Sequence, residues 1–304
     1  MKRIPVLVTL DVHPRNNIAV YIEETLKELD ELGIKVTFFV TASIAGEDGK
    51  VIKKIVEAGH QVGSHGLYHN AFDFNGFPPE RYDRISGEHQ EKFIRLATER
   101  LEDTLGKKVT AFRSPCFGIS GTTLRLLQEN GYLADVSVNS GRLDILSSSP
   151  FGFKQLLAPR LPYHPSFSNA YKKGDSHIWE IPLSCLVVPF AIMTIMTLGL
   201  TLAKGLAGIL RQESKISGKP IVYMTHPEEF SVDNDNIYSI PLKKLRFKHF
   251  LPLRNEGIQA RRAFRISDPV KIYRYNKKLL IKLRSYKDVE FVTVEEYVNS
   301  WLSA

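Results

Sequence analysis

Val6-Leu7-Val8-Thr9-Leu10-Asp11-Val12-His13 is the stretch on which the reading of the chain turns. A five-residue apolar run is long enough for a buried strand, and it stops at a carboxylate and an imidazole. The next segment, Ile18 to Leu32, places Ile22, Leu26 and Leu29 on one face, which is helical spacing, and Gly33 is a stop signal. Strand-then-helix is repeated from there. Ile34 to Val40 reads as a strand and Lys50 to Ala58 as a helix ended by Gly59. Gln61 to Ser64 is a short strand, followed by a long charged helix from Ser86 to Leu105. Val109 to Arg113, Thr122 to Asn130 and Leu133 to Val138 continue as strand, helix and strand. After a loop-rich stretch from Ser140 to Ser176, strands are expected at Ile178 to Leu183, Ile221 to Thr225 and Phe291 to Thr293, with a last helix from Val294 to Leu302. Such alternation predicts an α/β fold with a mainly parallel sheet, closed or open. No internal repeat or Pro/Gly/Ser-rich linker divides the chain, so one domain spanning 1–304 is expected, with core motifs in 5–230 and a basic, aromatic extension over 240–304.

Composition narrows the classes. Of 304 residues, 43% are hydrophobic and 24% charged, a globular balance that excludes a disordered or fibrous chain. The net charge of +8 suits an anionic ligand or a membrane surface. Two cysteines, Cys116 and Cys185, exclude a disulfide framework and a Cys-rich metal site. The opening Met1-Lys2-Arg3 precedes an apolar run that is short, broken by Asp11 and without a small-residue cleavage site, so a cytoplasmic protein is expected. Leu183 to Ala203 carries no charge and is long enough to span a bilayer, but Pro189 and Gly199 interrupt it. A buried strand followed by a helix packed on the sheet is the expectation, with a membrane-contacting helix as the alternative.

In parallel α/β folds, chemistry sits at the carboxyl ends of strands. Asp11 and His13 follow the first strand, two positions apart and so on one side if the strand continues. His65 and His69 follow the third, with the i, i+4 spacing that lets two imidazoles grip one ion from a helical turn. Arg113, Ser114 and Pro115 follow the fourth strand. Asp135 lies in the fifth, and His226-Pro227 follows Ile221 to Thr225.

Gly63-Ser64-His65-Gly66-Leu67-Tyr68-His69 resembles the histidine motif of the polysaccharide deacetylase (NodB-homology) family, carbohydrate esterase family four. Val8 to His13 resembles its first motif, Phe112-Arg113-Ser114-Pro115 its arginine-proline motif, and Met224-Thr225-His226-Pro227 its late His-Pro motif, in the family's order. Arg246 to Phe250 resembles a basic-aromatic stretch of one subgroup. The resemblance implies a distorted (β/α) barrel of seven or eight mainly parallel strands and a metal-dependent hydrolase that removes an acyl group, expected to be acetyl, from an N-acylated sugar. It implies Asp11 as general base, His226 as general acid, Arg113 as the residue orienting the base and Asp135 as an acid holding His226. Where the commoner first motif has a second acid, this chain has Val12. The ligand then falls one residue later, giving His13, His65 and His69 as the metal ligands. Imidazole ligands favour zinc over magnesium or calcium. A backbone N–H near Cys116 or Phe117 would meet the oxyanion. The alternatives are a metal-independent hydrolase of cyclic amides or ureides on the same fold, and a non-catalytic carbohydrate-binding relative.

Lys243, Lys244, Arg246, Lys248, His249, Arg254, Arg261, Arg262 and Arg265 are interleaved with Leu245, Phe247, Phe250, Leu251 and Phe264. No nucleic-acid motif accompanies them, so nucleic acid is not expected as a partner. With the apolar segment from Leu183 to Leu210, they suit a lipid-linked sugar and a location peripheral to the cytoplasmic membrane face.

Overall fold

The computed structural model describes residues 3–47, 49–68, 82–142, 153–235, 241–250, 260 and 262–303. Strand β1 (Ile4–Val12) is central, and buried along its whole length. The strands that follow are β2 (Thr37–Val40), β3 (Gln61–Ser64), β4 (Ala111–Phe112), β5 (Ala134–Asp135), β6 (Trp179–Glu180), β7 (Ile221–Thr225) and β8 (Val289–Phe291). Seven of them lie in the order β7-β1-β2-β3-β4-β5-β6, every pairing parallel, and curl into a distorted barrel. The remaining strand, β8, pairs with β1 alongside Ile4 to Val6. Between β6 and β7 the wall is completed by Ser184, whose N–H donates to the Val222 carbonyl at 3.2 Å while its Oγ accepts from Val222 N–H at 2.9 Å.

Side chains alternate along β1 as a pleated strand requires. Val6, Val8, Leu10 and Val12 join the core between sheet and helices. Leu7 points the other way, into a second apolar cluster inside the barrel with Phe39, Ala111, Val136, Ile181, Val222 and Met224. Val294, Tyr297 and Val298 of the C-terminal helical segment join that inner cluster, with Trp301 and Leu302 packed against it. The polar residues of the inward set, Asp11 and His13, lie further along the strand, toward its open carboxyl end.

The helices are α1 (Ile18–Leu32), α2 (Gly49–Glu57), α3 (Gly87–Leu105), α4 (Gly121–Glu129), α5 (Ile192–Ser217) and α6 (Pro269–Arg284). The first four fall within a residue or so of the periodic segments. Several strands are shorter than their apolar runs: Val109 to Arg113 contributes only Ala111–Phe112, and Leu133 to Val138 only Ala134–Asp135. Beyond them, Arg113 N–H still donates to the Ser64 carbonyl and Val136 N–H to the Phe112 carbonyl, while Val109 and Val138 N–H turn to the side chains of Glu102 and Glu180. Helix α6 was not expected. Its start carries a plain signal, Asp268 capping Lys271 N–H with Pro269 at the first position.

The apolar segment follows β6 and resolves into a short hairpin (Cys185–Leu186 with Val188–Pro189) and α5. Helix α5 is not continuous, because Gly199 sits at φ 82°, ψ 170°, a conformation essentially confined to glycine. By length and composition α5 could cross a membrane. However, Ile192, Ile195, Met196, Ala203, Leu206, Ala207 and Leu210 are buried in the protein's own core. The expected strand-plus-helix is therefore what forms.

Candidate active site

Asp11, His13, His65, Arg113 and His226 meet at the carboxyl end of the barrel, each delivered by the end of a different strand or by β1. Asp11 and His13 arrive on one face because β1 stays extended through Val12. The intervening Val12 is fully buried in the outer core, so its side chain faces away from the site.

Arg113 is the largest fully buried side chain of the protein. Its Nη1 donates to Asp11 Oδ1 at 2.7 Å and its Nε to the Val136 carbonyl at 3.0 Å. The guanidinium lies 4.5 Å from the centroid of the Phe39 ring. That contact requires Gly63, where a Cβ would meet the Phe39 ring at 2.8 Å and the Ala111 carbonyl at 2.9 Å. Burial works against the Asp11 anion, but Arg113, with His65 and His226, outweighs it and holds the carboxyl below its usual range.

His65 Nδ1 lies 2.8 Å from the Arg113 carbonyl. A carbonyl can only accept, so Nδ1 carries the proton and Nε2 is the nitrogen suited to a metal. Burial pushes the His65 pKa down, which favours the neutral form that ligation needs. The His13 ring is 5.1 Å from that of His65, centroid to centroid. The donor set therefore fits a divalent ion as far as these two imidazoles go. His69 lies outside the described residues, and among the described residues no cluster of three or more His, Cys, Asp or Glu could hold an ion.

The ring of His226 is 5.5 Å from that of His13, centroid to centroid. Its Nδ1 is 3.0 Å and 3.1 Å from the two oxygens of Glu229. The same carboxylate accepts His226 N–H at 2.6 Å and Thr225 Oγ1–H at 2.8 Å. Asn276 on α6 anchors the turn, donating to Thr225 Oγ1 at 3.2 Å and to the Glu229 carbonyl at 3.4 Å. Burial disfavours the imidazolium, yet Glu229 overrides it, helped by Glu228 and Asp11, and carries the His226 pKa up to about 9.

The acid that holds His226 is thus Glu229 and not Asp135. Asp135 accepts a 2.5 Å hydrogen bond from Ser137 Oγ–H and stands in register with Glu180 on β6. Both carboxyls are fully buried, and burial raises both pKa values, Glu180 well above the usual range. Burial therefore favours a protonated form in the pair, so the two together carry less than the two negative charges of free carboxylates beside Arg113. Glu229 had a signal in the sequence. His-Pro-Glu-Glu is a cap followed three residues later by Glu, the capping box that forms over Pro227 to Phe230. Glu180 had none, since strand register decides it.

The turn after Arg113 is strained. Cys116 and Phe117 are consecutive non-glycine residues at φ 53° and 57°. Phe117 N–H is donated to the Ser114 carbonyl at 3.0 Å, so of the two N–H groups expected near the oxyanion that one is used inside the turn. Of the basic stretch, Arg254, Arg261 and Leu251 lie outside the described residues, while Phe247 and Phe264 are exposed.

Residues 1–134 match the family model for polysaccharide deacetylase. A peptidoglycan deacetylase-like protein of Gibberella zeae is 29% identical over 161 residues, 45% of this chain and 45% of the relative. A peptidoglycan deacetylase of Helicobacter pylori is 27% identical over 117 residues, 38% of this chain and 36% of the relative. The matches thus take in less than half the length of either relative. In fold, the chain is similar to a putative polysaccharide deacetylase from Mycobacterium smegmatis (TM-score 0.62, 17% identity, 99% of this chain and 91% of the other). It is also similar to the Xyl-CE4 domain of a multidomain xylanase from the hindgut metagenome of Trinervitermes trinervoides (TM-score 0.50, 11% identity, 98% and 91% covered). With its motifs in order on a curled parallel barrel, the chain has the fold of these structures and is similar over residues 1–134 to the polysaccharide deacetylase family.

Proposed function

We propose that the protein is a metal-dependent amide hydrolase that removes the acyl group, an acetyl, from an N-acylated sugar. One observation carries the reading: the two ends of the site are built for opposite charges. Asp11 is kept an anion by Arg113, His226 is kept a cation by Glu229, and the His13 ring neighbours those of both His65 and His226. A binding module with no chemistry to perform has no use for an ionised base and a protonated acid held beside paired imidazoles.

His13 and His65 would hold the ion, with His69 assigned to it by the motif alone. When bound, a divalent ion polarises the amide carbonyl and lowers the pKa of a water molecule, and neutral imidazole ligands leave its charge undiminished. Asp11 accepts a proton from the attacking water, and Arg113 keeps Oδ1 fixed so that the carboxylate cannot rotate away. His226, held at Nδ1, donates from Nε2 to the departing nitrogen, so the C–N bond breaks to give acetate and a neutral amine. Asp135 and Glu180 stand behind Arg113, and their raised pKa values keep the pair from carrying two negative charges there.

The test is acetate release by the purified full chain, with metal content measured, from N-acetylglucosamine oligomers and from a lipid-linked N-acetyl sugar. Asp11→Asn should lower turnover by about 10²–10⁴-fold and keep the metal. Retained turnover in that variant sinks the assignment, and turnover of small ureides in place of sugars would move the protein to the cyclic-amide reading.

A further inference from the structure

The outer flank formed by α5 and α6 has a composition that neither folding nor the site accounts for. Beyond the break at Gly199, Leu202, Ile209 and Ile216 recur at seven-residue intervals and are 60%, 53% and 89% exposed. On a helix that spacing is a single stripe, and no acidic residue interrupts it. Leu198, just before the break, is 43% exposed and extends the stripe toward the mouth of the barrel. The opposite face of α5 is in the core, so the helix cannot leave the protein to span a bilayer.

Beside it, α6 carries Lys271, Arg274, Lys277, Lys278, Lys282 and Arg284 and no acid at all. Lys271, Arg274, Lys278 and Ile281 fall on its exposed side. The two helices are joined through Tyr286, whose ring lies 4.5 Å from both Arg211 of α5 and Lys282 of α6. The carboxylates of this flank are neutralised where they stand. Glu213, the one acid of α5, is bound by Arg160 and Lys219 at 2.8 and 2.7 Å. Asp288 is bound by Arg211 at 2.7 Å and by Lys215 at 3.2 Å. Lys277 is paired with Glu28 and Glu31 of α1, but among the described residues no acid is paired with the outward Lys271, Arg274 or Lys278, so what faces solvent is an apolar stripe bordered by cations, the complement of an anionic lipid surface.

The flank also adjoins the site. Phe190, two residues before α5, accepts from Met224 N–H at 3.2 Å, and Met224 is two residues from His226. Leu186 and Val187 of the neighbouring hairpin are exposed at the same end.

We propose that the α5–α6 flank docks the protein onto an anionic phospholipid membrane, with the barrel mouth beside the lipid. The inference goes beyond the deacetylase reading, and its assay needs no turnover, so either can fail alone. Full-length protein is mixed with vesicles of phosphatidylcholine, or of phosphatidylcholine with 30% phosphatidylglycerol, and the bound fraction measured by flotation at rising salt. Binding is expected to the anionic vesicles and to weaken with salt. Leu202→Glu with Ile209→Glu should reduce partitioning by about tenfold or more, since it inserts charge into the buried stripe. Lys278→Glu should reduce it about five- to tenfold on anionic vesicles only. These positions are exposed, and unchanged circular dichroism confirms that the variants fold. Absence of binding to anionic vesicles overturns the proposal, as does binding that neither variant weakens. A concentration-dependent dimer that Leu202→Glu dissociates would also overturn it, giving the flank to a second copy of the chain.

Discussion

Replacing Glu229 by Gln tests the acid half of the site at one atom. Gln keeps the shape and an oxygen for His226 N–H and Thr225 Oγ1–H, but removes the charge that holds the imidazolium. In the folded protein the His226 pKa is carried up from 6.5 to about 9 against the burial that opposes it. Without the carboxylate, burial is opposed only by Glu228 and Asp11, and the value falls back toward that of a free imidazole, taken below as about 6.5. An imidazole must be protonated to act as the acid, so the active fraction is lost as pH rises through its pKa. At pH 8 the protonated fraction would fall from roughly 0.9 to roughly 0.03, about 30-fold, while at pH 5.5 both proteins would be largely protonated and differ by about 10%. The assay is the pH profile of kcat/KM for acetate release. The variant's alkaline limb should move down by about 2.5 pH units with little change at the acid end. Superimposable profiles, or a uniform loss at every pH, would refute the reasoning, because a merely structural defect has no reason to follow the His226 titration.

Three further outcomes are expected. His13→Ala should lower the metal content of purified protein and leave the thermal unfolding of the metal-free chain nearly unchanged, since the ring lies at the open end of the barrel; metal analysis and calorimetry check it. Gly63→Ala should destabilise by about 1–3 kcal/mol and lower activity, because its Cβ has no room between the Phe39 ring and the Ala111 carbonyl, and urea titration with parallel kinetics reads both. Gly199→Ala should cost about 1–3 kcal/mol although nothing lies within 4 Å of the added Cβ, since the strain is in the backbone alone; the urea midpoint measures it.

The strand-end rule applied to the sequence picks out Asp11, His13, His65, Arg113 and His226, which do converge. It succeeds because alternation along β1 and the fixed place of loops in a parallel barrel are local properties. Partnerships across the sheet are not. Asp135 meets Glu180 because β5 and β6 align those two residues, and nothing in either segment announces that register. Glu229 lies three residues from His226, yet in sequence it is one of two adjacent acids in a loop. Only the capping turn over Pro227 decides which of them folds back on the imidazole. Helix α6 carried legible signals at Asp268-Pro269 and at Ile272, Leu279, Leu280 and Leu283, obscured by the many lysines and arginines that invite reading the region as a solvated extension.

The pairing of β8 with the lower half of β1 sets an order in time. Ile4 lies beside Val289, and Val292 N–H donates to the Val6 carbonyl, so the first residues of the strand that delivers Asp11 and His13 keep one edge open until nearly the last residues arrive, after β7 has closed that edge from Val6 to Leu10. At ribosomal speeds that is a delay on the order of tens of seconds. During it, the inner apolar cluster lacks Val294, Tyr297 and Val298 and stands open to water from below. A nascent chain therefore holds the base of its site on an unfinished strand. The polar end of the strand is framed by β2, β3 and β4, which are made early; it is the apolar floor of the barrel that waits for the far end, with the Ile4 to Val6 edge exposed in the growing chain until then.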